Sequence, residues 1–425
     1  MEDYPRWMAT AVEHALSVRR IVYVAGARQC GKTTLLRHLT LPGAQRRTLD
    51  RQQTRQAAFD GPDEFVERTG SGPLVIDEVQ KVPDLFSAMK IKVDADRSPG
   101  QYLITGSTNL KARPDVLESL AGRMRTIRLR PLSQGEVLGL RPTFLRDAFE
   151  GRFQSSAIPV RRDDLLDLAF RGGYPEAIAL SARERPGWHR DYLQALLSHD
   201  IRDVMEIRNL PALRRMAVGL AGFSSKFLDK AGFASAYGVS KPTVDTYVAA
   251  LESLYLFDQV PPWTPGDYDR AIRSPKWFAA DTGTMVALLR WNRIGIEEDP
   301  DRLGKLLETF VYDSLAATAD ISDEYRIYHY RDRDKREIDF LVEDANGRML
   351  GIEVKAGSAV RSDDFKHLDW FRERFQPNMV SVVLNTGPEP LSFGSGRHAV
   401  PIASLFGSST TPLAAGDPLP EGAGR

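Results

Sequence analysis

The sequence predicts an α/β protein whose amino-terminal part forms a mostly parallel sheet. An apolar, β-branched run from Ile21 to Ala25 leads into the octapeptide Gly26 to Thr33, and the apolar run Leu74 to Ile76 ends in Asp77 and Glu78. Continuous apolar runs that alternate with helical patterns are typical of buried parallel strands. A third observation is that the carboxy-terminal part predicts helix, three strands, helix and strand, so a second α/β unit is expected there.

The octapeptide fits the phosphate-loop pattern G-x-x-x-x-G-K-[ST], and a helical pattern follows it. Its glycines let backbone N–H groups face a polyphosphate, and the new helix turns its positive end towards the same anion. Lys32 is predicted to neutralise the β- and γ-phosphates of a nucleoside triphosphate and Thr33 to bind Mg²⁺. The predicted nucleotide-binding residues of the loop are Gly26, Ala27, Arg28, Gln29, Cys30, Gly31, Lys32, Thr33 and Thr34.

The two acids after the second strand supply what a nucleoside triphosphatase also needs. Asp77 is expected to hold Mg²⁺, and Glu78 to polarise the attacking water as the catalytic base. A third predicted strand, Gln101 to Thr105, ends in small polar residues, of which Ser107 and Asn109 are candidates for contacts with the γ-phosphate or its water. Both of these residues could also serve only as turn formers.

A fourth strand candidate, Thr126 to Arg130, follows two arginines. Arg123 or Arg125 is a candidate for stabilising transition-state charge, either in cis or towards a neighbouring subunit of a homo-oligomer. The alternative is that Arg123 is only a surface cation. The sequence leaves both interpretations open.

The composition is that of an ordinary globular protein: 425 residues, 42% hydrophobic and 27% charged. Lys+Arg and Asp+Glu are both 57, so no global basic field steers the chain to nucleic acid, and any such contact must come from local patches. One cysteine excludes an intramolecular disulfide and a cysteine cluster for zinc or iron–sulfur. Neither a signal-peptide layout nor a membrane-length apolar stretch is present, so a soluble, cytoplasmic protein is expected.

Changes of pattern divide the chain into a nucleotide-binding domain over 1–140, a helical domain over 141–270, an α/β domain over 271–407 and a tail over 408–425. The tail is rich in Ser, Thr, Pro, Gly and Ala and is expected to be disordered.

Within the helical domain, Leu228 to Tyr237 and Lys241 to Leu256 predict two helices joined by a tight turn. This unit resembles a winged helix, whose second helix can enter the major groove of DNA, here with an outward set of Lys241, Thr243 and Asp245 or Thr246. The same unit often serves as a packed adaptor, and the presence of one basic residue at the start of that helix favours the adaptor.

The α/β domain contains a predicted hairpin with the three-residue loop Ala345 to Gly347. Matching the apolar residues of its strands on one face aligns Ile338, Phe340 and Val342 with Val354, Ile352 and Leu350. In that register Asp339 lies directly opposite Glu353, and Glu337 lies opposite Lys355. Opposed residues have Cβ atoms ~5 Å apart, so two carboxylates can share a divalent ion and, beside a lysine, cut a phosphodiester. The alternative is a solvated charged face.

The motif-bearing segments together resemble the bacterial and archaeal AAA-type ATPases that carry a C-terminal domain of unknown function. The segments that carry the resemblance are Gly26 to Thr33, Val75 to Gln80, Leu103 to Ser107, Leu120 to Arg123, Pro131 to Ser133, Gly172 to Glu176, Lys241 to Val244 and Ile352 to Lys355. The resemblance covers nearly the entire chain and implies that the nucleotide is ATP, in keeping with the absence of an N-K-x-D base-reading motif.

In that family the C-terminal domain is similar to the PD-(D/E)xK restriction-endonuclease fold. The resemblance implies that Asp339, Glu353 and Lys355 form an active-site trio, with Glu308 as an additional metal-binding acid. The predicted function is therefore an ATPase whose nucleotide state controls a nuclease-like domain that acts on nucleic acid. Two alternatives stay open: an ATP-dependent switch or scaffold whose endonuclease-like domain only binds nucleic acid or a protein partner, and a winged-helix DNA-binding regulator.

Overall fold

A computed structural model of the chain describes residues 4–107, 109, 114–153, 160–201, 205, 207, 209–266 and 274–408. Apart from Ser408, the tail that was expected to be disordered lies outside these ranges. Within them, no helix combines the length and the apolar character needed to cross a membrane.

The amino-terminal part forms a five-stranded parallel sheet, as the sequence predicted. Its strands are β1 (Ile21–Ala25), β2 (Gln45–Thr48), β3 (Leu74–Asp77), β4 (Tyr102–Gly106) and β5 (Met124–Arg128), in the spatial order β2-β3-β4-β1-β5. The helices of this part are Met8–Val18, Lys32–His38, Gln52–Asp60, Pro62–Phe65, Asp84–Ala95, Pro114–Ser119 and Gln134–Val137. The sequence did not indicate β2, because this edge strand is short, polar and only partly buried.

The helix Lys32–His38 begins directly after β1, and the acids follow β3, so both chemical elements lie at the carboxyl edge of one sheet. This is the edge at which open α/β sheets bind ligands.

The middle part consists of helices and one small antiparallel sheet. The helices are Phe144–Phe149, Arg162–Arg171, Pro175–Ala179, Arg185–Ala195, Leu210–Gly222, Lys230–Tyr237, Lys241–Ser253, Thr282–Leu289 and Arg293–Glu297. The strands are β6 (Lys226–Phe227), β7 (Phe257–Val260) and β8 (Lys276–Ala279), in the order β6-β8-β7. The sequence analysis placed residues from 271 onward in the next domain, but β8 is the central strand of this sheet because it pairs with both of its neighbours.

The carboxy-terminal part begins with the long buried helix Pro300–Ala319 and continues as a six-stranded mixed sheet with the helix Lys366–Phe375. The strands are β9 (Tyr325–Arg331), β10 (Glu337–Asp344), β11 (Met349–Val354), β12 (Val380–Asn385), β13 (Leu391–Ser392) and β14 (Arg397–Pro401), in the order β13-β14-β12-β11-β10-β9. The helices and strands that the sequence indicated here are present with ends shifted by about two residues, whereas β13 and β14 were not indicated.

The hairpin of β10 and β11 has the expected register, with Phe340 opposite Ile352 and Val342 opposite Leu350. One detail differs from the sequence expectation. The pairing of β10 with β9 shifts between Ile338 and Leu341, and Ile338 packs in a different apolar cluster from Phe340. This irregularity ends the alternation of faces, since an extra residue in one strand redirects the side chains before it.

One continuous apolar core runs from Met8 to Phe406 and includes residues of all three parts. A smaller core lies on the other face of the carboxy-terminal sheet, beneath the helix Lys366–Phe375. The described residues of the three parts are therefore packed against one another.

Candidate nucleotide site and carboxy-terminal acidic pocket

The phosphate loop holds its lysine with neutral groups. Gly31 has φ +103°, a conformation that favours glycine, and it directly precedes the helix Lys32–His38. The Lys32 ammonium is 4% exposed and donates to the carbonyl oxygens of Gly26 at 3.0 Å and Ala27 at 2.9 Å. Since no carboxylate among the described residues pairs with it, its charge is available to a phosphate at the helix N-terminus.

A hydroxyl–carboxylate pair lies beside this lysine. Thr33 donates from Oγ1 to Oδ2 of Asp77 at 2.9 Å, and the hydroxyl of Thr105 donates to the other carboxylate oxygen. Hydroxyl and carboxylate oxygens are the ligands that Mg²⁺ uses beside substrate phosphates, so these residues fit the expected ion. The sequence analysis did not single out Thr105, although its position at the end of a buried strand was a usable signal.

Glu78 has a left-handed backbone, with φ 63° and ψ 44°, directly after β3. Such strain in a residue other than glycine is concentrated at functional sites. The Glu78 N–H donates to Oγ1 of Thr105 at 3.2 Å, and its carboxylate accepts from the Gln80 side-chain amide at 2.5 Å. The same amide nitrogen donates to Oγ of Ser107 at 3.0 Å, so Gln80 connects the expected base to a residue of the following strand end.

Of the remaining candidates, Asn109 follows the carboxyl end of β4, whereas Arg123 and Arg125 lie at the start of β5. The backbone N–H of Asn109 donates to the carbonyl of Ser253 at 3.3 Å, at the end of the helix Lys241–Ser253. Arg123 makes a two-pronged pair with Asp94, at 2.5 and 3.0 Å, at the start of β5. This is the edge of the sheet opposite the phosphate loop, so Arg123 is not brought to the loop of its own chain. Arg125, the other arginine candidate, pairs with Asp323 at 2.8 Å.

A cavity of about 540 Å³ opens at the phosphate loop. It is lined by Tyr4, Arg6, Gln29, Gly31, Lys32, Thr33, Thr34, Arg37, His38, Glu78, Leu132, Pro175 and Glu176. Several of these were missed from the sequence, because they precede the first strand or lie in the middle part. Arg6 reaches the loop itself, donating to the Cys30 carbonyl at 2.7 Å while pairing with Glu136 at 3.0 Å.

The turn that brings Pro175 and Glu176 to this cavity is attached to the sheet of the middle part. Gly173 donates its N–H to Oδ2 of Asp281, just beyond β8, at 2.6 Å. A Cβ on Gly173 would lie 2.3 Å from the carbonyl oxygen of Leu132, which explains the glycine. A change at the nucleotide cavity therefore has a direct route to the middle part.

A buried charge cluster also joins the nucleotide domain to the rest of the chain. Asp258, on β7, accepts from Arg128 and from Arg130 at 2.6 Å each, and from the hydroxyl of Tyr312 at 2.8 Å. Arg130 also donates to Asp320 at 2.6 Å. Burial opposes ionisation of Asp258, but the two guanidinium groups outweigh it and hold the pKa of this carboxyl well below its ordinary value.

The carboxy-terminal hairpin brings its two predicted acids together. The ladder of β10 and β11 stops at the pair Phe340 and Ile352, and beyond it the N–H of Val354 donates to Oδ2 of Asp339 at 3.0 Å. Glu353 forms a side-chain hydrogen bond with Asp339. Burial and the neighbouring Asp339 charge raise the pKa of Glu353 well above its ordinary value.

A lysine that the sequence analysis did not consider enters the same pocket. The Lys276 ammonium, on β8, lies 2.5 Å from Oε1 of Glu308, 3.1 Å from Oε1 of Glu337 and 3.1 Å from Oδ1 of Asp339. Lys276 is 1% exposed. Burial disfavours its charge, but the three carboxylates outweigh this and raise the pKa of the ammonium well above its ordinary value. We name Glu308, Glu337, Asp339 and Glu353 the acidic pocket.

Lys355 lies at the edge of the acidic pocket rather than in its centre. Its ammonium is 3.7 Å from Asp364, and its charge partly offsets the rise in the pKa of Glu353. In the described part of the chain, no group of three or more His, Cys, Asp and Glu residues is arranged to hold a metal ion. The donor set of the acidic pocket therefore does not fit a divalent metal as it stands, because an ammonium already contacts three of its four carboxyl groups.

Comparisons with known proteins agree with this layout. Family models match residues 18–138 as an AAA domain, 162–294 as a domain of unknown function (DUF8612) and 303–405 as a domain of unknown function (DUF4143). Two solved structures are similar at low level: the STAND protein with a tetratricopeptide repeat sensor PH0952 from Pyrococcus horikoshii, 11% identical, and VC1899 from Vibrio cholerae, 10% identical. The matches cover 74% and 91% of this chain and 46% and 95% of those proteins, each with a TM-score of 0.20, too low to support an argument.

The curated relatives are closer. The uncharacterized proteins Rv2008c of Mycobacterium tuberculosis and Mb2031c of Mycobacterium bovis are each 31% identical over 357 residues, which is 82% of this chain and 73% of theirs. This chain therefore belongs to the family of these two mycobacterial proteins, with the AAA domain of an AAA-type ATPase at its amino-terminal end and a DUF4143 domain at its carboxy-terminal end.

Proposed function

We propose that this protein is a cytoplasmic, ATP-hydrolysing switch whose nucleotide state controls the middle and carboxy-terminal parts, which bind a nucleic acid or protein partner. The observation that carries the proposal is the assembly at the phosphate loop: a lysine held by two neutral carbonyls lies beside a Thr33–Asp77 pair with the oxygens that Mg²⁺ requires.

Each residue of the site has a defined task in ATP hydrolysis. When bound, Mg²⁺ supplies charge neutralisation for the phosphates, held by Thr33 and Asp77. Lys32 exchanges its two carbonyl partners for phosphate oxygens. Glu78 orients and polarises the attacking water, and its backbone strain and the Gln80 hydrogen bond fix the direction of its carboxylate.

Two contacts can carry the nucleotide state to the rest of the chain. The segment after β4 touches the end of the helix Lys241–Ser253 through Asn109, and β5 is attached to Asp258 of β7 through Arg128 and Arg130. Both segments continue directly from the carboxyl edge of the amino-terminal sheet, where the phosphate loop lies. A shift of that edge must therefore either move β7 or break buried ion pairs. Breaking such pairs is costly, so movement is favoured.

The test of ATP hydrolysis is the variant Glu78→Gln. It retains the metal-binding residues and the lysine, so binding of a fluorescent ATP analogue should stay within about three-fold of the wild type while turnover falls by about 10²-fold or more. Gln53→Glu, at an exposed position of the helix Gln52–Asp60, is a control for a surface change in the same domain. Wild-type turnover by Glu78→Gln would show that this residue is not the base.

A metal-dependent nuclease is the second candidate, favoured by the contact between Asp339 and Glu353 with Lys355 beside them. It ranks below the switch because the position between the acids and Glu308 is taken by Lys276. Purified protein assayed on single- and double-stranded DNA and RNA, with and without ATP and Mn²⁺, decides between them. Cleavage that Asp339→Asn abolishes would place the nuclease first.

A winged-helix DNA-binding regulator is the third candidate, favoured by the helices Lys230–Tyr237 and Lys241–Ser253, which lie between β6 and β7 of the sheet β6-β8-β7. Against it, Asp245 on the second helix of the unit pairs with Lys230 at 2.6 Å, and the opposite face of that helix is buried in the core. Lys241→Glu tests this role. A loss of DNA affinity with a salt slope reduced by several units would support a DNA-binding role, because one incidental phosphate contact accounts for a slope of only about one.

A further inference from the structure

The acidic pocket receives its cation from a different part of the chain. Glu308 comes from the helix Pro300–Ala319, and Glu337, Asp339 and Glu353 come from β10 and β11. Lys276 comes from β8, which belongs to the middle sheet. Its ammonium is within 3.1 Å of carboxylate oxygens on three of these acids, and almost none of the side chain is exposed.

The backbone of β8 leaves Lys276 little freedom to move away. Lys276 is opposite Phe227 on β6 and opposite Val260 on β7, so its strand is hydrogen-bonded on both sides. Two residues on, the ring of Phe278 packs 5.4 Å from the ring of Phe340 and 4.4 Å from that of Tyr312. These contacts fix β8 against both β10 and the long helix, and they hold the ammonium in place.

Charge balance favours a cation there. Buried carboxylates repel one another, so without a compensating cation they take up protons or destabilise the fold, and burial together with the Asp339 charge raises the pKa of Glu308 to about 8. A divalent ion would need several of these oxygens at about 2.0–2.6 Å around a single point. The Lys276 ammonium already lies where oxygens of Glu308, Glu337 and Asp339 converge, and an ion placed at that point would face a positive charge at contact distance.

We propose that Lys276 is the built-in cation of the acidic pocket: it replaces a divalent metal, closes the pocket to metals and joins the middle sheet to the carboxy-terminal domain. The proposal concerns this pocket alone and does not depend on ATP hydrolysis. It also predicts that removal of the ammonium exposes a divalent-cation site that the wild-type chain does not use.

The experiment measures Mn²⁺ binding to the full-length chain by electron paramagnetic resonance and its effect on the melting temperature. All proteins carry Asp77→Asn, so that the phosphate-loop site does not contribute. With Lys276 present, no Mn²⁺ should bind at the pocket. Lys276→Met, which keeps the length of the side chain but not its charge, should gain one bound Mn²⁺ and should melt at a higher temperature with Mn²⁺ than without it.

Two controls assign the effect to this pocket. Lys276→Arg keeps a cation and should bind no Mn²⁺, whereas the addition of Asp339→Asn to Lys276→Met should remove the acquired site. Mn²⁺ binding by the protein with Lys276 that is lost in Asp339→Asn would overturn the proposal, since the pocket would then hold a metal beside the lysine.

If the uncompensated negative charge prevents Lys276→Met from folding without metal, recovery of its circular dichroism spectrum on addition of Mn²⁺ supports the proposal. The second variant, Lys276→Met with Glu308→Gln, removes one acid together with the cation and relieves the repulsion. If neither variant binds Mn²⁺, the proposal fails.

Discussion

Two buried lysines, one at each chemical site, are held by opposite kinds of partner. Lys32 donates to the backbone carbonyls of Gly26 and Ala27, whereas Lys276 contacts the carboxylates of three acids. A carbonyl leaves the ammonium with its net charge, but a carboxylate neutralises it. The first lysine is therefore prepared to receive an anionic ligand, and the second is already satisfied by the protein itself.

The difference teaches that a lysine near catalytic-type acids does not by itself indicate a reactive site. At the phosphate loop, Asp77 accepts hydrogen bonds from the hydroxyls of Thr33 and Thr105. The carboxylate and the lysine therefore do not pair with each other, and each keeps its charge for a ligand. In the acidic pocket, the lysine and the acids that it contacts neutralise each other's charge. Charged partners make stronger hydrogen bonds than neutral ones, and removal of one partner of a buried ion pair leaves a buried charge uncompensated.

The largest expected effect is on catalysis at the phosphate loop. Lys32→Met should lower kcat/KM for ATP by about 10³-fold, equivalent to ~4 kcal/mol of transition-state stabilisation, because the charge that meets the β- and γ-phosphates is removed. A coupled phosphate-release assay measures it. Lys92→Met, in the same domain but paired with Glu67, is the matched control and should keep full activity. Equal activity of both variants would contradict the comparison.

The next effect separates the two lysines by stability. Lys276→Met should lower the free energy of unfolding by about 4 kcal/mol, since it leaves several acids without their cation. Lys32→Met should change it by less than about 1 kcal/mol, because only two neutral hydrogen bonds are lost. Urea denaturation followed by circular dichroism measures both. The contrast between the two lysines breaks down if the two variants lose similar stability.

A third prediction concerns the charge cluster that joins the domains. Asp258→Asn should cost about 3 kcal/mol at pH 7, because Arg128 and Arg130 lose a shared buried partner. The folded-state pKa of Asp258 is lowered, so its contribution is present above its unfolded pKa of about 4 and is lost as the pH falls below that value.

Denaturation of the wild type and of Asp258→Asn at pH 7 and at pH 3 tests this sign. The stability difference should shrink at the lower pH. Asp94→Asn, which loses the exposed pair with Arg123, is the control and should have a much smaller effect at either pH. A stability difference for Asp258→Asn that grows on acidification would show that this carboxyl is not ionised in the folded protein.

The smallest expected effect is that of Arg123→Ala. Since its guanidinium binds Asp94 at the edge of the sheet far from the phosphate loop, ATP turnover at low protein concentration should stay within about two-fold of the wild type. Turnover measured over a range of protein concentrations completes the test. A large loss that appears only at high concentration would mean that Arg123 acts on the nucleotide of a neighbouring subunit in a homo-oligomer.

The carboxyl edge of the amino-terminal sheet could be predicted closely from the sequence because the motifs that mark it are local. The phosphate loop, its strand and its helix occupy one short segment, and the pair Asp77 and Glu78 directly ends another strand. Thr105, Gln80 and Arg6 were not recognised, because their roles depend on hydrogen bonds between segments that are distant in the chain.

The carboxy-terminal hairpin shows the same limit more sharply. Apolar alternation and a glycine-containing loop predicted the pairing of Phe340 with Ile352, since register follows from the side-chain period and the loop length. The irregularity after Ile338 broke the alternation that had been used to place Asp339. Nothing in the local pattern signals such a bulge.

The sequence by itself determined the elements whose causes lie within a few residues: the phosphate loop, the buried parallel strands, the acids at their ends and the hairpin register. Only the tertiary structure decided which cation meets which acid. Lys276 lies 32 residues before Glu308 and 63 before Asp339, and no periodicity connects them. A buried charge selects its partner through the packing of whole strands and helices, because the strength of an ion pair depends on distance and burial and not on separation along the chain.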